Sequence, residues 1–155
     1  MLDRSRIFLG ACEAVCDYRM AALGFAPTGK HHQDGWACDA TYREYGREQL
    51  RFAIRAFSNQ HEGSGIEGVA SLRPGDKYLV NAMHVASLWT LSKRFGLDVE
   101  AFYFPDLSDA DATSTALLHV CEDWKRLLDL VGIDRLQAVL MNFDALGSES
   151  HRQPD

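Results

Sequence analysis

The chain has 155 residues, 46% of them hydrophobic and 25% charged, an ordinary globular composition with room for one core, so it is read as a single α+β domain over residues 1–146 with a polar C-terminal tail at 147–155. Sixteen basic residues against twenty-two acidic ones give a formal charge of −6, which leaves a nucleic-acid backbone without electrostatic support as a partner. No apolar run reaches membrane-spanning length or makes a signal segment, and the cysteines at 12, 16, 38 and 121 stand in periodic segments, a pattern that predicts reduced thiols, a cytoplasmic protein and no membrane partner.

In chain order, residues 3–23 place Ile7, Phe8, Ala11, Val15, Tyr18 and Ala22 on one face of an amphipathic helix. Gly24 followed by Phe25 predicts a left-handed cap with a hydrophobic contact behind it, and Pro27 prevents continuation. Residues 28–35, with Lys30, His31, His32, Gln33 and Asp34, are polar and unpatterned, and are expected to form an exposed loop.

The stretch 36–72 alternates with a period of two. Trp36, Cys38, Ala40 and Tyr42 share one side of a first strand, and Gly46 offers positive φ for a hairpin turn at 44–47. The next strand, 50–57, sets Leu50, Phe52, Ile54 and Ala56 inward, against Arg51, Ala53, Arg55 and Phe57. A flexible return at Gly63-Ser64-Gly65 leads to a third run at 66–72. The expectation is an N-terminal helix, a three- to five-stranded antiparallel meander and helices packed on one face.

Arg73-Pro74-Gly75-Asp76 is a turn signal, and residues 78–80 offer a further short strand. Residues 81–95 fit a helix ending at Gly96, although 85–91 also fits a strand. Residues 99–104 suit an edge strand or an extended loop before Pro105. The clearest helix follows: Ser108 and Asp111 form an acidic capping box, and Leu117, Val120, Cys121, Trp124, Leu127, Leu128 and Val131 recur at three and four until Gly132. Asp134 is expected to cap a last helix carrying Leu136, Val139, Leu140 and Phe143.

For chemistry, Cys12 and Cys16 stand four apart on a helix and supply half of a metal site, but no second short-spaced Cys or His pair completes it apart from His31 and His32. Small core positions account for both cysteines, so neither a metal nor a cofactor is expected. His31, His32 and Asp34, and His61 beside Glu62, belong to acid/base vocabulary and define the alternative reading, a small hydrolase or transferase built on the 28–35 loop. His84 and His119 fall in helical segments and are explained as histidines at the core's edge. No nucleophile elbow, phosphate loop or metalloprotease helix occurs.

Residues 97–112 stand apart. They hold five acids, Asp98, Glu100, Asp106, Asp109 and Asp111, no base, and the aromatics Phe102, Tyr103 and Phe104 in a row. Rings rimmed by one sign of charge suit a partner protein with a basic surface. Against this, some rings belong to the core, and Asp109 and Asp111 serve the next helix.

The order helix, Leu23-Gly24-Phe25, antiparallel meander, then helices looks like small bacterial immunity proteins that neutralise secreted toxins. Trp124-Lys125-Arg126-Leu127 also resembles the last helix of type III secretion chaperones, whose further hairpin is not found here. Both likenesses concern organisation and imply a non-enzymatic protein that covers a partner's functional surface.

Overall fold

The computed structural model describes residues 2–34, 39–59, 63–72 and 84–143, with the side chains of residues 2, 3, 30–34, 39, 40 and 59 outside the description. The N-terminal helix runs as α1 (Leu2–Ala11), a π-helical turn (Cys12–Cys16) and α2 (Asp17–Ala22). The strands β1 (Ala26–Asp34), β2 (Asp39–Arg47), β3 (Leu50–Asn59), β4 (Gly63–Leu72) and β5 (Val85–Ser87) form one antiparallel sheet in sequence order. Helices α3 (Leu88–Arg94), α4 (Ala110–Val131) and α5 (Ile133–Met141) complete an α+β arrangement in which α4 and the N-terminal helix pack together and against the sheet.

The π turn decides which side of the first helix is buried. Phe8, Ala11, Cys12, Cys16 and Met20 face the core, whereas Tyr18 is 59% exposed and Ala22 is also on the surface. A turn with one extra residue rotates everything after it, so the face expected to continue through Val15, Tyr18 and Ala22 moves to Cys16 and Met20. The helix ends as its sequence predicts. Phe25 N–H donates to the Met20 carbonyl and Gly24 N–H to the Ala21 carbonyl, Gly24 takes φ +86°, and Phe25 is buried. This is the paired hydrogen-bond pattern of a Schellman cap.

β3 is the middle of the sheet, with Leu50, Phe52, Ile54 and Ala56 buried on the helix side as expected. Its opposite face is also covered at Ala53 and Phe57, and the half-buried Arg55 pairs there with Glu67. The β2–β3 turn is not at 44–47. β2 runs through Gly46, paired with Arg51, and the chain reverses at Glu48 and Gln49, where Glu48 adopts φ +54°. Gly46 is needed for room: a Cβ there would stand 2.9 Å from Arg51 Nη1.

Two further expectations change. Residues 28–34 belong to β1 and pair with β2, with an irregularity between Pro27 and His31 where Gly29 takes φ +86°. Polar composition did not prevent a strand here because an edge strand buries little. Gly63-Ser64-Gly65 is paired strand, and Gly65 leaves space for the Phe57 ring, whose Cζ would lie 2.7 Å from an added Cβ. The segment around 85–91 divides into β5 and α3, with Ser87 Oγ accepting from Thr90 N–H as the cap. His84 therefore precedes a strand, in a left-handed conformation, with its N–H bound to the Phe143 carbonyl and Nδ1 3.1 Å from the Leu140 carbonyl. The expected features at Trp36, Cys38, His61, Glu62, 73–83 and 144–155 lie outside the described residues.

α4 is capped by Asp109, which accepts from Asp111 and Ala112 N–H, and not by a Ser108/Asp111 box. α5 follows Gly132 directly without a side-chain cap, so Asp134 sits in its first turn.

Candidate functional site

The acidic and aromatic segment 97–112 leaves α3 through Gly96 at φ +80° and is fastened to the body at three points. Tyr103 exchanges both backbone hydrogen bonds with Ile66, prolonging along the β4 edge the pairing that β5 makes farther on. Leu107 is buried in the core. On the side of β3 away from α4, Phe102 meets Phe57 edge-on, with centroids 5.4 Å apart.

Tyr103 faces α4. Its hydroxyl donates to Asp123, and its ring stacks on His119 at 5.5 Å and 11°. Asp123 is only 7% exposed, with Arg126 at 3.6 Å. Burial raises the Asp123 carboxyl above its ordinary value despite opposing help from Tyr103 and Arg126. Burial, then the hydrogen bond to Asp123, raises the Tyr103 phenol. Tyr103, His119, Asp123 and Arg126 thus form a half-covered polar cluster under the ridge. The i, i+4, i+7 spacing of His119, Asp123 and Arg126 was a readable signal; its meeting with Tyr103 needed the fold.

The acidic residues divide by role. Asp106 accepts from the Ser108 hydroxyl and N–H, which lower its carboxyl below the ordinary value. Asp109 caps α4, and Asp111 lies in the first turn, where a negative charge meets the helix dipole. Asp98 and Glu100 are exposed and make no hydrogen bond or ion pair among the described residues. Phe104 is 65% exposed beside Phe102, with centroids 6.0 Å apart. The outward surface is therefore Asp98, Glu100, Phe104, Asp106, Asp109 and Asp111, while Phe102 and Tyr103 are half buried.

Elsewhere, Arg43 grips Asp17 with two hydrogen bonds of 2.9 and 2.7 Å, and the Tyr45 hydroxyl donates to the same carboxylate at 2.7 Å. Burial opposes ionisation of Asp17, but these donors outweigh it and bring the carboxyl below its usual value. The triad joins α2 to β2. No linear spacing announced it, because its members come from elements 26 and 28 residues apart. An open hollow of about 540 Å³ beside Leu23, Gly24, Arg47, Leu128 and Gly132 contains Asp129, which is bound to Lys125, and Arg47, which donates to the Leu23 carbonyl.

The backbones of His31, His32 and Asp34 pair with Arg43, Tyr42 and Ala40, and their side chains lie outside the described residues. Among the described residues, no group of three His, Cys, Asp or Glu side chains is arranged to hold a metal ion, and no helix is long and apolar enough to cross a membrane. Compared with known proteins, the chain matches no family model, no curated protein and no solved structure.

Proposed function

We propose that this chain is a non-enzymatic binding protein that docks a partner protein with a basic surface on the 97–112 ridge, covering that surface as an immunity-type or regulatory protein does. The observation that carries this reading is the division of labour in the ridge: Tyr103 and Leu107 hold it to the body, while Asp98, Glu100 and Phe104 face solvent without a structural task. A fixed ring flanked by unpaired acids supplies contact area at low entropic cost, and the charge accelerates encounter with a basic protein.

Comparative capture tests the proposal. Wild-type protein and the double variant Asp98→Lys/Glu100→Lys are immobilised and exposed to lysate of the source cells at low and high salt. A basic protein retained by the wild type at low salt and lost from the folded variant supports the reading. Equal retention on both removes the ridge as the interface.

A further inference from the structure

The nucleophilic groups outside the ridge are concentrated where the N-terminal helix crosses α4. Cys12 and Cys16 bracket the π turn and are fully buried, and Cys121, on α4, is buried with them; all three are free cysteines. The Cys16 thiol lies in hydrogen-bonding contact with the thiols of both Cys12 and Cys121. The wide turn brings positions 12 and 16 almost one above the other, where an α turn would offset them around the helix. Three thiols from two helices therefore converge within the core.

We propose that Cys16 and Cys121 are an oxidation site that closes to an inter-helix disulfide when the protein meets a hydroperoxide, leaving Cys12 as the neighbouring thiol. The choice of pair follows from reach. Side chains four apart on a helix have Cβ atoms about 5–6 Å apart, whereas a disulfide needs about 3.5–4.5 Å, so linking Cys12 to Cys16 would unwind their turn. Cys16 and Cys121 face each other from separate helices and close mainly by side-chain rotation.

The chemistry balances in two steps. The Cys16 sulfur, as thiolate, attacks the peroxide O–O bond and becomes a sulfenic acid, while the leaving hydroxide takes a proton and departs as water. The Cys121 thiolate then attacks that sulfur; the S–S bond forms, the S–O bond breaks, and a second water leaves. Two thiols have lost two electrons and two protons, and one peroxide has become two waters. Contact with neighbouring thiols and burial keep Cys16 and Cys121 protonated in the closed fold. Oxidation of Cys16 thus proceeds when the N-terminal helix opens, and reclosure onto Cys121 traps the product.

The test is peptide mapping of the full chain after treatment with hydrogen peroxide, alkylation of remaining thiols and digestion without reductant. The expected product is a Cys16–Cys121 linked peptide pair, lighter by two hydrogens, abolished by dithiothreitol, and also formed in Cys12→Ser and Cys38→Ser proteins. Recovery of Cys16 and Cys121 as alkylated thiols or sulfinic acids overturns the proposal, as does a link confined to Cys12 and Cys16 or one involving Cys38. Fragment spectra of the wild-type peptides assign the link even where a variant fails to fold.

Discussion

The Trp124 indole lies flat on the Phe52 ring, with centroids 4.2 Å apart and planes 8° apart, and both side chains are fully buried. This contact joins α4 to the middle of the sheet. Gly68 makes room for it, since a Cβ there would stand 2.6 Å from Phe52 Cζ and 3.3 Å from Leu88 Cδ2. Phe52→Ala is expected to cost about 3–5 kcal/mol, and Gly68→Ala about 1–3 kcal/mol by pushing the ring off the indole. Arg51→Ala, which loses hydrogen bonds to the Glu48 and Leu50 carbonyls, should cost about 1 kcal/mol. Chemical denaturation of the three variants tests this order.

The Asp17 carboxylate gives the fold an acid-sensitive joint. Its folded value is lowered, so its contribution is present above the unfolded aspartate value, about 3.9, and is lost as pH falls through the folded one. Asp17→Asn should destabilise the protein by about 1–2 kcal/mol at neutral pH, a figure reduced because the side chain is 27% exposed. The gap between variant and wild type should narrow below about pH 4.

Asp123 behaves in the opposite sense. Its folded value is raised, so its favourable contribution is complete below the unfolded value and fades as pH rises through the folded one. Asp123→Asn keeps an acceptor for the Tyr103 hydroxyl, and at neutral pH should leave stability unchanged or raise it by up to about 1 kcal/mol. On acidification towards about pH 4, wild type should gain relative to the variant. Denaturation at both ends of that range measures the sign.

Phe104 and Tyr103 are adjacent but should respond differently to truncation. Tyr103→Ala removes the bond to Asp123 and the stack on His119, and should cost about 2–3 kcal/mol of stability. Phe104→Ala should stay within about 0.5 kcal/mol of wild type, because most of its ring is already in solvent. Thermal or chemical unfolding of the pair separates the ring that holds the ridge from the ring that faces outward.

Local rules made β3, the Gly24 cap and the body of α4 legible, because each has an uninterrupted period or a glycine with one conformational job. They failed where a neighbour far along the chain decides. Gly46 resembles a turn glycine until Arg51 is laid across it, and the polar 28–34 run becomes a strand because the β2 edge offers it hydrogen bonds. The burial of Cys16 and Met20 in place of Tyr18 and Ala22 follows from the π turn, which a fixed helical period does not anticipate. In the ridge, composition identified the segment, but the separation of Asp98 and Glu100 from the helix-serving Asp106 and Asp109 required their hydrogen bonds.

The most direct measurement is the association rate of the captured basic partner with wild-type protein and with folded Asp98→Lys/Glu100→Lys protein, each at low and near-physiological salt. The ridge account predicts association slower by about tenfold or more in the variant at low salt, a flatter salt dependence and a dissociation rate changed far less. Equal association rates and equal salt slopes for the two proteins would contradict it.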